Sequence, residues 1–223
     1  MMTTTFHKRY AIYFCLPESS EFQTKAAHWL GWDVDNGQEV ASKVPAHWTH
    51  AAKKYGFHAT MKAPFRLSND SNVEALKSDV ARCAAQHRAF SLGWLDIRSL
   101  GGFLAFMPQD QPESLSALAA DLVKELDCHR DPLSEEEMSR RRAAKLTESQ
   151  DLLLQKYGYP YVLEEFKFHM TLTGNIEQIN EAAELAKEYF ANELKDEIFV
   201  REVALCGERL DGQFEVIERF SLS

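Results

Sequence analysis

Glycine and proline are sparse. The 223 residues hold 10 Gly and 7 Pro, and nowhere do these gather into a flexible or proline-rich linker. Two independently tethered domains are therefore disfavoured, and any two lobes must share a core. The 4 Cys, at 15, 83, 128 and 206, are scattered and include no Cys-x-x-Cys pair. That spacing suits neither a zinc knuckle nor a disulfide framework, and it points to reduced thiols and a cytoplasmic location. Positive charge is also short: 25 Lys and Arg face 34 Asp and Glu, for a formal net charge of −9. A long nucleic acid is thus a poor partner, while a small phosphorylated molecule can still find a local cationic pocket. No apolar run approaches a membrane span, and Met1 to Lys8 lack the apolar stretch of a secretory leader. Walker and dinucleotide glycine loops are missing, as is His-Glu-x-x-His, and no carboxylates cluster around the histidines of interest below. Kinase, dehydrogenase and metal-dependent chemistry are disfavoured, and neither a cofactor nor a metal is expected.

What the chain does have is an echo. Phe57-His58-Ala59-Thr60-Met61-Lys62 returns half a chain later as Phe168-His169-Met170-Thr171-Leu172-Thr173. In a strand, alternate side chains share a face. His58, Thr60 and Lys62 would then stand together in front of an apolar face made of Phe57, Ala59 and Met61. His169, Thr171 and Thr173 would do the same in front of Phe168, Met170 and Leu172. Side by side, two such strands offer paired proton-transfer groups, His58 and His169, and phosphate-binding groups in Thr60, Thr171, Lys62 and Thr173. A pair of half-buried strands that merely carry His is the bland alternative.

The rest of the pattern alternates strands and helices. Strands are predicted over 9–16, 57–65, 90–97, 103–107, 168–173, 198–205 and 213–221. Helices are predicted over 17–31, 72–88, 112–126, 134–157 and 176–194, the fourth opened by a Ser134/Glu137 capping box with ion pairs Glu136/Arg140 and Glu137/Arg141 along it. The polar stretch 31–55 reads as mostly irregular and is long for a loop, so it is either an ordered flap or holds a short element whose place the sequence does not fix. Within the first strand, Tyr10, Ile12, Phe14 and Leu16 form the apolar set, which leaves Tyr13 on the open face, a candidate for substrate binding with a purely structural role as the commoner alternative. Arg130 is a candidate for a second phosphate, Tyr159 and Tyr161 for the walls of a cleft. Core packing or ion pairing is an equal alternative for these three.

The motif pair resembles the 2H phosphoesterase superfamily, named for two His-x-Thr/Ser motifs. Arg9-Tyr10-Ala11-Ile12-Tyr13-Phe14, Tyr55-Gly56-Phe57 through Phe65, Arg130 through Arg141, and Gly158 through Gly174 resemble its bacterial DUF1045 branch, associated with phosphonate metabolism. The resemblance implies an α+β bilobal fold, with duplicated antiparallel-sheet lobes and outer helices around a central cleft. On this plan 1–223 is one catalytic domain with lobes near 1–100 and 101–223 that exchange strands. It further implies metal-independent hydrolysis of a cyclic phosphate or related phosphodiester by paired His acid/base catalysis, a phosphorylated ribose cyclic phosphate being one candidate. Nucleotide or RNA-end 2′,3′-cyclic phosphodiesterase or 2′–5′ ligase-like activity, and a catalytically idle phosphometabolite sensor, are the competing expectations.

Overall fold

A computed structural model describes residues 7–223. The first six residues, part of the segment read above for a leader, lie outside the described residues. In chain order the strands are β1 (Tyr10–Phe14), β2 (Trp32–Asp33), β3 (Gln38–Glu39), β4 (Ala59–Phe65), β5 (Phe90–Gly93), β6 (Leu95–Leu100), β7 (Phe103–Pro108), β8 (Met170–Thr171), β9 (Ile198–Val200), β10 (Glu202–Glu208) and β11 (Phe214–Ser221). The helices are α1 (Glu21–Leu30), α2 (Ala46–Lys53), α3 (Val73–Ala85), α4 (Glu113–Glu125), α5 (Glu135–Arg142), α6 (Glu148–Tyr157) and α7 (Ile179–Tyr189).

Seven strands join in one antiparallel sheet, ordered β11-β10-β1-β4-β8-β7-β6, with β2-β3 and β5-β9 as separate two-stranded pieces. The centre of this sheet is a single backbone pair, Ala59 opposite Met170. These are the middle residues of the two His-x-Thr motifs, so a local two-fold axis runs between them. On one side of it lie β4, β1, β10 and β11; on the other lie β8, β7 and β6. The early strand β6 therefore sits with the late β8, and the late β10 and β11 sit with the early β1. The strands are interlaced across residue 100 rather than divided there.

Alternation along the strands decides what each face touches. Ile12, Phe14, Ala59, Met61, Phe57, Phe168, Met170, Leu172 and Phe106 are all buried in the main core, where residues of α1, α3, α4 and α7 join them. The opposite face of β1 and β10 carries Ala11, Tyr13, Cys15, Ala204 and Cys206, which bury a smaller core against Trp32, Val34 and Phe214. The sheet thus has helices behind and a partly covered working face in front.

Four local expectations change. Residues 31–55 are not irregular: they hold the β2-β3 hairpin and α2. The expected helix 134–157 is two helices. Its Ser134/Glu137 capping box is present, but a second box, Thr147/Gln150, opens α6, and Lys145 between them takes a left-handed φ of 55°. Strand 90–97 breaks at Gly93, φ 70°, so β5 pairs with β9 while β6 joins the main sheet. The second His strand shortens to Met170–Thr171.

Candidate active site

Each motif histidine is fixed by the same device. His58 Nδ1–H donates to the Gly56 carbonyl at 2.9 Å, and His169 Nδ1–H donates to the Lys167 carbonyl at 2.8 Å. Both acceptors lie two residues upstream of the imidazole. A carbonyl only accepts, so the proton of each neutral ring is held on Nδ1 and the working atom is Nε2. Thr60 Oγ1–H donates to His58 Nε2 at 3.2 Å. The Ala59–Met170 register places Thr171 opposite His58 and Thr60 opposite His169, so the two imidazoles are diagonal neighbours on adjacent strands, about 7–8 Å apart at the backbone. Phe57 and Phe168, directly before the histidines, are buried and brace both from behind.

Gly56 is required twice over for its anchor. Its φ is 70°, a conformation costly for other residues, and an added Cβ would meet Val34 Cβ at 2.5 Å. The second motif is held at its far end by Leu104 N–H donating to Thr173 Oγ1 at 3.0 Å, Trp29 Nε1–H donating to the Leu172 carbonyl at 3.0 Å and Gly174 N–H donating to the Trp48 carbonyl at 2.7 Å. Trp48 belongs to α2, so the segment expected to be mostly irregular fastens this strand.

The two imidazoles sit in different surroundings. His58 lies flat against Tyr13, with ring centroids 3.8 Å apart and planes at 27°. Burial, only partly offset by the Gly56 hydrogen bond and reinforced by the His169 charge, pushes His58 down to about 4. It is neutral at physiological pH. His169 stands at the more open end, its ring 5.7 Å from Phe103. Phe103 lines both halves of the site: a recess of about 250 Å³ with His58, Thr171 and Tyr55, and a cleft of about 410 Å³ with His169, Thr60, Tyr159 and Tyr161.

Two of the sequence candidates, Lys62 and Thr173, are placed differently from expectation, while Arg130 and Tyr13 take the ion-pairing and packing alternatives. Lys62 has left the working face. A β-bulge sets Met61 and Lys62 together opposite Ile12, which turns Lys62 to the helix side. There it is 3 % exposed; its Nζ donates to the Val123 carbonyl at 3.1 Å and lies 3.5 Å from Asp127. Burial lowers it to about 8 against the pull of Asp127. Thr173 is fully buried, its hydroxyl engaged by Leu104 as above. Arg130 is held by both oxygens of Asp127, at 2.8 and 3.2 Å, and by the Lys156 carbonyl. Tyr13 is on the expected face but beneath His58, fully buried, with its hydroxyl lacking a protein partner and burial raising it well above the usual phenol value. It supports the imidazole rather than meeting a ligand.

Tyr159 and Tyr161 do line the cleft beside His169, edge to face at 5.5 Å. The expected i,i+4 pairs of α5 give way to longer-range ones: Glu137 binds Arg66 at 2.6 and 2.9 Å and Arg142 binds Asp151. Tyr55, tilted over His58 at 6.0 Å, and Phe103 were not singled out from the sequence. Tyr55 directly precedes the Gly56 anchor, which is a usable signal; Phe103 carries none.

One antiparallel sheet bearing two His-x-Thr motifs across a local two-fold is the arrangement that the resemblance to the 2H phosphoesterases implied. The chain belongs to the DUF1045 family, described as a protein of unknown function, whose family model matches residues 60–215. It is similar over its whole length to a phosphoesterase crystal structure, with a TM-score of 0.51 and 15% identity, covering 98% of this chain and 99% of that one. Against E. coli LigT complexed with NADP+ the TM-score is 0.51 at 14% identity, covering 98% and 99% of the two chains. These likenesses are of fold. In sequence it is 39% identical over 174 residues to a ribose 1,5-bisphosphate phosphokinase PhnN of Janthinobacterium sp. (strain Marseille), covering 74% of this chain and 38% of that protein. A PhnN of the same description from Laribacter hongkongensis is 30% identical over 186 residues, 80% of this chain and 43% of its own. The chain thus spans only about four-tenths of the curated relatives it matches. No helix of the described residues is long and apolar enough to cross a membrane.

Proposed function

We propose that this protein hydrolyses a small cyclic phosphate by paired-histidine acid/base catalysis that needs no metal. The observation that supports this reading is the matched anchoring of His58 and His169, which leaves Nε2 as the working atom of two imidazoles on adjacent strands, one in each of the two cavities that Phe103 lines. Burial keeps His58 unprotonated, so His58 is the base and His169 the acid. Water attacks phosphorus in line with the ring P–O bond and gives its proton to His58 Nε2. As that P–O bond breaks, His169 Nε2–H protonates the departing alkoxide, leaving a phosphomonoester; exchange with solvent then resets both rings. An arriving phosphate anion raises the His58 value and so strengthens the base at the moment of use. Thr60 and Thr171 supply hydrogen bonds to the phosphoryl oxygens. Tyr159 and Tyr161 form the wall against which the rest of the substrate rests.

A phosphorylated ribose cyclic phosphate is the substrate class we favour. The name of the similar PhnN proteins, ribose 1,5-bisphosphate phosphokinase, supports a phosphoribosyl substrate in phosphonate metabolism. The kinase activity in that name calls for a nucleotide-phosphate loop, and this chain contains no Gly-x-x-x-x-Gly-Lys segment.

The test is a panel of sugar and nucleotide cyclic phosphates assayed in EDTA, with His58→Gln and His169→Gln alongside. Turnover of the sugar substrates is expected, and each variant should lose about 10²–10⁴ in kcat. Turnover of nucleotide substrates only would move the assignment to RNA-end chemistry. Tight binding without turnover would make the protein a sensor.

A further inference from the structure

The proposed chemistry uses only the histidine end of the cleft. Ala63, Tyr159 and Val162 line that end and also a second compartment on their other side, between β4 and the α5–α6 region. The second compartment gathers Arg9, Lys62, Arg66, Arg130, Arg140 and Arg141 against two acids of its own, Asp131 and Glu137. In a chain of net charge −9, such a concentration of cations is not a by-product of composition.

Most of these cations are engaged. Lys62 and Arg130 share Asp127, Arg66 is taken by Glu137 and Asp131, and Arg9 uses its Nε on Glu208. Arg140 and Arg141 have no carboxylate at ion-pair distance among the described residues. Arg141 lies over the Tyr159 ring, 5.4 Å from its centroid, and its Nε is buried without an acceptor. Burial, opposed by Tyr159 and Glu137 and reinforced by the charges of Arg140 and Arg9, lowers the Arg141 guanidinium from its usual value. A buried donor lacking an acceptor, in a compartment that Arg9 and Arg140 also line, is poised for an anion. A guanidinium fork stacked on an aromatic ring suits a phosphate better than a point charge would. Ala63 lies three residues along β4 from Thr60, about 10 Å at strand rise, a span suited to a pentose with a phosphate group at either end.

We infer that Arg141, with Arg140 and the free amino groups of Arg9, forms a second anion subsite that reads a phosphomonoester at the far end of the cyclic-phosphate substrate. The substrate assignment rests on the phosphoesterase reading above; the subsite itself is testable without it. In this role Arg141 sets specificity, and Tyr159 positions it.

Two measurements decide the matter. First, kcat/KM is compared for a ribose cyclic phosphate with and without a 5-phosphate. The wild type should prefer the phosphorylated form by at least a hundredfold, and Arg141→Gln and the Arg140→Gln/Arg141→Gln pair should cut that preference at least tenfold. An equal loss on both substrates would mark Arg141 as structural and overturn the subsite. Second, ribose 5-phosphate is titrated calorimetrically into the His58→Gln/His169→Gln protein, which lacks the proposed acid and base. Binding that Arg141→Lys weakens at least fivefold supports the subsite; no binding, or binding indifferent to that substitution, refutes it. Should no cyclic phosphate turn over while ribose 5-phosphate still binds through Arg141, the catalytic reading fails and the subsite stands.

Discussion

At the scale of single residues, the environment of His58 makes a claim about pH. Its folded value, about 4, lies below the ordinary 6.5 of a free imidazole. Between those two values the unfolded chain binds a proton that the native protein does not, so native stability declines as pH falls from 6.5 toward 4 and levels off below. On the proposed mechanism, the acid limb of kcat/KM falls near pH 4 rather than near 6.5. Tyr13→Ala, which uncovers the face of the ring that Tyr13 now stacks on, should carry that limb upward; a pH–rate series on both proteins checks this, and an unmoved limb would detach Tyr13 from His58. Much of this was legible in the sequence. The Phe-His-x-Thr echo named both imidazoles, and alternation put Tyr13 on the correct face. What alternation cannot say is that Trp32, Val34 and Phe214 close over that face, since nothing in local spacing brings residues 32 and 214 to residue 13. The same blindness hid the partners of His7, His87 and His129, whose carboxylates Glu215, Asp121 and Asp79 all lie far away in the chain.

Among the elements, β4 carries the largest departure from expectation. Strict alternation from His58 through Thr60 leads to Lys62 on the working face; one extra residue in the bulge sends it to the helices instead. Period-two reasoning holds only while the ladder is regular. Lys62→Met keeps the stem and removes a largely buried charge, and it leaves Asp127 paired through both oxygens with Arg130. It should cost less than about 2 kcal/mol, read from denaturant unfolding, with kcat/KM within a few-fold of wild type. A loss of a hundredfold would return Lys62 to the phosphate. The divided helix at 143–147 was readable in principle, because Thr147 and Gln150 spell a second capping box inside what passes for one long amphipathic run. The hairpin and α2 within 31–55 were not: their polar sequences show little periodicity, and tertiary bonds such as that from Gly174 to Trp48 hold them.

For the whole molecule, order along the chain and order in the sheet disagree. The alternation of strands and helices conveyed the α+β class, and the scarcity of linkers a shared core. Strand neighbours such as β1 with β10, however, are set by contacts nearly two hundred residues apart. A protein cut into 1–100 and 101–223 would part β6 from β7 and β1 from β10. Neither piece alone should give cooperative thermal unfolding, whereas co-expressed pieces should reassociate; a stable 1–100 fragment would contradict the interlaced sheet. The two-fold relation centred on Ala59 and Met170 has a consequence of its own. It sets one imidazole on each strand beside the reacting phosphorus, and by microscopic reversibility the pair that opens the ring can also close it with the two proton roles exchanged, so on the proposed chemistry the cleft carries no inherent arrow. The direction of flow is then left to the surroundings: abundant solvent drives ring opening, and an alcohol in sufficient excess would be accepted in its place, giving a linear diester.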